Sequence, residues 1–287
     1  MELARGAWNL SLDTPTLPPA TATNTLILGH DRLLVIEPAT PHERERARLD
    51  ALLDELRAQG RTIAGLALTH HHPDHIGYAV ELRERYGVPL LAHPETAARL
   101  HFEVDETIED DWTIELGGGQ RVRAVHTPGH APGHLVFWDE ASGIAHAGDL
   151  VAGVGSILID PRDGGDMTTY LESLRRIAEG CRVRSERGLD SRLVPAHGPV
   201  IDDPVALLEH YVRHRLARED KVRQAVLAGA RDFDAILAQA YADTPPFIWP
   251  IAAHALDAHL RKLVDDGELT RTPGAPSSAG YPGAKPA

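Results

Sequence analysis

The sequence predicts a layered α/β domain that carries a helical C-terminal module. Through the first two hundred residues, short apolar runs alternate with amphipathic stretches, as expected of strands interleaved with helices. After Pro204 the strand signals almost vanish and helical periodicity takes over. Residues 273–287 are Pro, Gly, Ala and Ser with little else, a composition that predicts a disordered tail. The division that follows is 1–203 for the α/β domain, 204–272 for the helical module and 273–287 for the tail.

In chain order, the apolar runs 25–29 and 33–36 bracket Gly29-His30-Asp31-Arg32, which predicts a hairpin. Residues 41–59 place Leu49, Leu52, Leu53 and Leu56 at helical spacing and stop at Gly60. A buried-looking strand at 63–68 precedes a helix at 74–86 that ends at Gly87. A strand at 89–92 and a short helix at 94–100 follow. Three successive β-runs, 121–126, 134–138 and 143–147, come next, then a helix at 166–179 and a last short strand at 193–195. Helices at 205–227, 233–241 and 251–265 with a strand at 268–272 predict a winged-helix-like module. No internal repeat is visible.

Composition excludes several classes. With 43% hydrophobic and 25% charged residues the chain reads as globular, and no run approaches the ~18 apolar residues of a membrane helix. The start lacks a basic segment followed by an apolar one, so no secretory signal is expected. The single cysteine, Cys181, excludes an intrachain disulfide and fits a reducing, cytoplasmic compartment. It falls in the break after the 166–179 helix, as a structural or exposed thiol. A net charge of −13 opposes a protein that coats nucleic acid. Histidine is the outlier, with 17 residues against 4 Phe.

The informative segment is Thr69-His70-His71-His72-Pro73-Asp74-His75-Ile76-Gly77, at a junction between strand and helix. Residues two apart in extended chain share a face, so His70 and His72 can point at one centre while His71 turns away. Asp74 and His75 open the helix and can reach an adjacent centre. Imidazoles and a carboxylate delivered off a rigid strand end suit Zn²⁺ or another borderline divalent ion. Three more residues sit at strand ends beside glycine: His130 after Gly129, Asp149 after Gly148, and His197 before Gly198. Singly, each reads as a loop residue; with the first segment they form a constellation.

These segments resemble the ligand motifs of the metallo-β-lactamase-fold hydrolase superfamily over residues 20–200. The resemblance implies an αβ/βα four-layer sandwich with two metal ions at one edge. It implies that His70, His72 and His130 hold one ion, that Asp74, His75 and His197 hold the second, and that Asp149 bridges them. Zinc is the expected metal, with iron and manganese as alternatives. Two dications sharing a water lower its pKa towards neutrality, so no serine or cysteine nucleophile is needed. Asp74 and Asp149 are thereby the catalytic carboxylates. His134 resembles the second histidine of the family's Gly-His-x-x-Gly-His stretch and is expected to hydrogen-bond around the site. The chain departs from the family at Glu37-Pro38-Ala39, where Asp-x-Gly is usual. Glu37 is the expected replacement for that supporting carboxylate, with the local turn left open. His93 is not expected to be a ligand.

The intervals Asp74 to His130 and Asp149 to His197 have no space for the inserted domain of the β-CASP nucleases. The C-terminal part resembles the lactamase-β-2-like group, which includes a single-strand endoribonuclease. The charge and the 5% aromatic content favour instead a small-molecule hydrolase acting on an ester, thioester, lactone or related acyl bond. RNA remains the alternative substrate, and a mononuclear iron persulfide dioxygenase is the third reading. Arg213, Arg215, Arg218, Lys221 and Arg223 form a basic run that fits RNA or a solvated helix face equally. The C-terminal module is expected to wall one side of the metal cleft. The sequence does not fix an oligomeric state.

Overall fold

The computed structural model describes residues 1–153, 155–272 and 283–287. Two strands that the sequence pattern did not announce open the chain, β1 (Glu2–Ala4) and β2 (Ala7–Asp13). The expected hairpin follows as β3 (Ala22–Leu28) and β4 (Arg32–Ile36), then helix α1 (Glu43–Ala58) and β5 (Thr62–Ala67). The single helix expected at 74–86 divides into α2 (Pro73–Ile76) and α3 (Ala79–Tyr86), broken around Gly77. There, Gly77 and Tyr78 donate their amides to the carbonyls of Ala39 and Pro38 instead of continuing a helix. β6 (Leu90–Ala92), α4 (Pro94–Ala97) and β7 (Glu106–Thr107) complete the first sheet, whose order is β1 to β7 in sequence.

The second sheet comprises β8 (Thr113–Glu115), β9 (Arg121–His126), β10 (Leu135–Asp139), β11 (Ile144–Gly148) and, after helix α5 (Met167–Glu186), β12 (Arg192–Pro195). Its order is β12-β11-β10-β9-β8, with only β11 and β12 parallel. α5 starts at Asp166, whose carboxylate accepts the Thr169 amide at 2.7 Å, a good N-cap. It runs past the expected end through Gly180, so Cys181 lies within the helix and is buried, not in a break. Burial pushes its thiol up to about 11.

Alternation along the strands sets the layers. One face of each sheet contributes to a shared core, with Leu26, Leu34 and Ala67 from the first and Val122, Leu135 and Phe137 from the second. The outer face of the first sheet packs Ile27, Val35 and Leu66 on Leu49 and Leu53 of α1 and Leu82 of α3. The outer face of the second packs Val136, Trp138 and Leu193 on Tyr170, Leu174 and Ile177 of α5. The result is the αβ/βα four-layer sandwich.

The C-terminal module consists of α6 (Pro204–Leu227), α7 (Phe233–Ala240), α8 (Trp249–Asp265) and a hairpin of β13 (Leu269–Arg271) and β14 (Ala284–Pro286). β14 corrects the expected tail, because residues 284–286 pair with β13 and Ala284 is buried beside Val226 and Phe233. Residues 273–282 lie outside the described residues. α6 belongs to two cores. Leu208 and Tyr211 in its first half join the α5 cluster, while Val222 and Val226 pack with α7 and α8. Phe247, just before α8, is 81% exposed.

His146 of β11 and His259 of α8 are fully buried, and burial holds both imidazoles below their ordinary pKa. The unfolded chain binds their protons near pH ~6.5 and the folded chain does not, so stability should fall as pH drops below that value. Thermal unfolding of wild type and His259→Gln between pH 8 and pH 5.5 checks this. The expected result is a weaker pH dependence in the variant; equal slopes would contradict it.

Candidate metal centre

The candidate residues converge where the ends of the two sheets meet. That meeting is fixed by hydrogen bonds: Asn24 Nδ2 donates to the carbonyls of Pro195 (2.8 Å) and Gly198 (2.9 Å), and the Leu135 amide donates to Thr69 O (2.9 Å). β5 has already ended at Ala67, so His70 and His72 extend from the loop beyond it, with His72 in extended conformation at the start of α2. Pro73 is favourable there, because its missing N–H costs nothing at a first helical position.

His70 Nε2 lies 2.8 Å from His72 Nδ1 and 3.3 Å from His130 Nε2, and the last two atoms are 3.0 Å apart. Three ring nitrogens this close fit a shared cation, which zinc-type ions bind through imidazole at ~2.0–2.1 Å. The opposite ring nitrogens are each engaged. His70 Nδ1 meets Thr69 Oγ1 at 2.9 Å, His130 Nδ1–H donates to Leu158 O at 2.7 Å, and His72 Nε2–H donates to Asp163 Oδ2 at 2.6 Å. Burial, reinforced by the neighbouring imidazoles, holds His70 well below its ordinary pKa and lowers His130 to about 4. Both therefore present lone pairs, as metal ligands must.

The second group is richer in charge. His75 Nε2 is 3.7 Å from Asp74 Oδ1 and 3.8 Å from Asp149 Oδ2, and His197 Nε2 is 3.5 Å from both Asp74 Oδ2 and Asp149 Oδ1. Asp149 Oδ2 also lies 3.5 Å from His130 Nε2, so this carboxylate reaches both groups. Burial opposes charge on His75, yet Glu37, Asp149 and Asp74 together push it up to about 10. Burial likewise opposes charge on Asp149, but His75, His197 and His130 hold it below the usual carboxylate range. The site thus demands positive charge among buried carboxylates. His75 Nε2 and Asp149 Oδ1 are buried without a hydrogen-bond partner. Two unpartnered buried atoms in one cluster of imidazoles and carboxylates fit a cation held by Asp74, His75, His197 and Asp149.

The supporting residues also fall into place. His134 touches no candidate ligand side chain through its ring nitrogens. Its Nδ1 bonds Thr127 Oγ1 at 2.8 Å and its Nε2 accepts the backbone N–H of Asp149 at 3.0 Å, which aims that carboxylate. Gly148 is at φ 50°, and a Cβ there would lie 2.4 Å from His134 Nε2, so only glycine lets the Asp149 backbone sit this close. Glu37 is fully buried, accepts the Thr69 amide at 2.6 Å and pairs with His75 Nδ1. Its turn forms without the family glycine because Glu37 itself adopts φ 61°. His71 points away from the triad to Asp163 (3.3 Å), and His93 caps α4 and stacks on His126.

A cleft of about 580 Å³ opens over the carboxylates, walled by the 15–20 loop, Ala152, Ser156, Ile157, Leu158 and Ile251 of α8. The C-terminal module therefore reaches the cleft, as expected. A second, more open groove of about 800 Å³ shares only His72 and Pro73 with it and includes neither Asp74 nor Asp149. Three contributors escaped the sequence reading: the 15–20 wall, Leu158 and Asp163. Asp163 lies in an obvious turn, Pro161-Arg162-Asp163-Gly164-Gly165, but nothing local connects a turn to a histidine ninety residues earlier.

The comparisons agree with this fold. Residues 18–180 match the model of the metallo-beta-lactamase superfamily, and residues 233–275 match the beta-lactamase associated winged helix domain. A beta-lactamase-like protein 2 homolog from Drosophila melanogaster is 28% identical, the alignment covering 89% of this chain and 86% of that one. An atrochrysone carboxyl ACP thioesterase from Passalora fulva is 30% identical over 86% of this chain and 72% of its own. A beta-lactamase domain protein from Burkholderia ambifaria superposes with a TM-score of 0.82 at 21% identity, over 100% of this chain and 93% of that one, and so shares the fold.

Proposed function

Since this chain belongs to the metallo-beta-lactamase superfamily, we propose that it is a hydrolase of small-molecule acyl bonds, an ester, thioester or lactone, working with two zinc ions. His70, His72 and His130 would hold one ion, Asp74, His75 and His197 the other, with Asp149 between them. When bound, such a pair supplies an acidified water as nucleophile and a Lewis acid for the attacked carbonyl oxygen. The chain itself contributes Glu37, which fixes the His75 tautomer, and His134, which fixes the Asp149 backbone. Leu17, Pro18, Ile157 and Ile251 seat the acyl group and exclude water around it.

The observation that carries the substrate class is the lining of the cleft. Among the described residues it contains Pro15, Leu17, Pro18, Pro19, Ile157, Leu158 and Ile251 but no lysine or arginine. Phosphodiester binding rests on cationic contacts, whereas a neutral acyl chain needs only apolar walls. The basic run of α6 does not supply a groove either. Arg213 pairs with Glu209, Arg218 and Lys221 with Asp243, and Arg223 with Glu268, while Arg215 is buried. The relative named as a thioesterase points the same way. We divide the chain at residue 204, with α6 as the helix shared by catalytic domain and module. We place the protein in the cytoplasm on its single buried thiol; among the described residues, no helix is long and apolar enough to cross a membrane.

The test is turnover of zinc-loaded protein on acyl thioesters of graded chain length, a fluorogenic single-stranded RNA, and a persulfide with oxygen consumption followed. Chelator-sensitive thioester hydrolysis, restored by Zn²⁺, is expected. RNA cleavage without acyl turnover, or oxygen uptake with one iron per chain, would overturn the proposal. Ile251→Asp should lower kcat/KM for long acyl groups by about 10-fold or more and spare acetyl substrates, since each lost apolar contact discriminates at that scale. Equal loss on every chain length would remove Ile251 from the acyl wall. A point substitution is the right probe, because deleting the module would strip Leu208 and Tyr211 from the α5 core.

A further inference from the structure

Residues 156–163 form no strand, yet they touch the first histidine group twice. Leu158 O accepts from His130 Nδ1–H at 2.7 Å, and Asp163 Oδ2 accepts from His72 Nε2–H at 2.6 Å. The same segment is gripped by the C-terminal module. Arg215 of α6, 5% exposed, donates to Ile157 O and to Ser156 Oγ (3.2 Å). His254 of α8 pairs with Asp160 Oδ2 at 3.0 Å, and Asp160 in turn caps the turn that carries Asp163 by accepting the Arg162 amide at 3.0 Å. With no sheet ladder to hold it, the segment takes its place from these side chains and from Ile157 and Ile159, which are buried in the α5 core.

We propose that this segment is a strap through which the C-terminal helices set the ring orientation of His72 and His130, with Asp163 as the positioning residue for His72. A carboxylate on the far nitrogen fixes the tautomer, so that Nδ1 keeps its lone pair for a cation, and it makes the ring a better donor. The ordinary alternative is a surface contact, since the Asp163 side chain is 45% exposed. A surface contact would contribute little and would not distinguish one metal centre from the other. The inference rests on the two-ion reading of the site, and its test separates the two.

The measurement is Zn²⁺ affinity by competition with a chromophoric chelator, together with thermal unfolding of the metal-free full chain. Asp163→Ala should weaken one of two Zn²⁺ equivalents by about 10- to 100-fold, leave the other unchanged and leave metal-free unfolding unchanged. Asp163→Glu should recover part of the loss. His254→Ala, which removes a tie without opening a core, should weaken the same equivalent by less. Unchanged affinity at both equivalents in a folded Asp163→Ala, or equal loss at both, would overturn the role of Asp163. An unaltered His254→Ala would overturn the hold by the C-terminal helices. Wild type that binds no Zn²⁺ would overturn the two-ion reading, and the strap with it.

Discussion

Asp149→Ala is expected to reduce kcat/KM by at least about 1000-fold, more than loss of a single oxyanion-hole donor costs, while the fold survives. The carboxylate lies within 3.8 Å of histidine nitrogens from both sets: His130 on one side, His75 and His197 on the other. No neighbour can replace it, because His134 and Gly148 fix the backbone that presents it. It does not hold the core together. Its Oδ1 is buried without a hydrogen-bond partner, and the desolvation of its charge is offset by His75, His197 and His130 around it, not by core packing. Metal-free Asp149→Ala should therefore unfold somewhat below the wild-type temperature without losing the fold, and zinc should stabilise the variant less than it stabilises wild type. Zinc content per chain and turnover in metal-buffered solution are the readouts. Asp74→Ala should behave in the same direction, since Asp74 faces His75 and His197. Full activity in either variant would remove the carboxylates from the chemistry.

Much of this was legible in the sequence, for a physical reason. Glycine and histidine at strand ends leave a local signature, so the segment 69–77, His130, Asp149 and His197 stand out in the sequence, and the structure brings them together. The strands that alternate or run apolar, β3 to β6 and β9 to β12, were readable for the same local reason. β1, β2, β7 and β8 were not. β7 and β8 are short and largely exposed, and β1 and β2 begin before any apolar run asserts itself. The end of α5 was misplaced because Gly180 reads as a stop. In the structure it faces the Trp138 ring, where a Cβ would approach to 3.1 Å, so packing overrides propensity. β14 was lost in a tail whose composition predicts disorder, although Ala284 is buried. Partners of the site such as Leu158 and Asp163 act through a carbonyl or across long sequence separation, and no local pattern encodes either.

Glu37→Ala is the second large effect expected, and it tests how this chain manages without the usual aspartate and glycine at that turn. Glu37 lies just past β4, fully buried, with one oxygen on the Thr69 amide and the other on His75 Nδ1. Its own amide donates to Ala67 O at 3.0 Å and its carbonyl accepts from Thr25 Oγ1 at 2.6 Å, so the backbone is tied on both sides. Truncation to alanine leaves two buried donors without partners, each costing about 1–3 kcal/mol. His75 also loses the group that keeps its proton on Nδ1, so Zn²⁺ affinity at the His75 centre should fall about 10- to 100-fold. Denaturant unfolding and zinc competition read the two effects separately. Glu37→Gln keeps one acceptor and should fall between wild type and alanine in both. The conformation adds a further discriminator. At φ 61° alanine is strained and glycine is not, so Glu37→Gly should be more stable than Glu37→Ala by about 1–2 kcal/mol, yet just as weak for zinc. If Glu37→Gly and Glu37→Ala instead kept wild-type zinc affinity, Glu37 would serve the turn alone and the tautomer of His75 would need another cause.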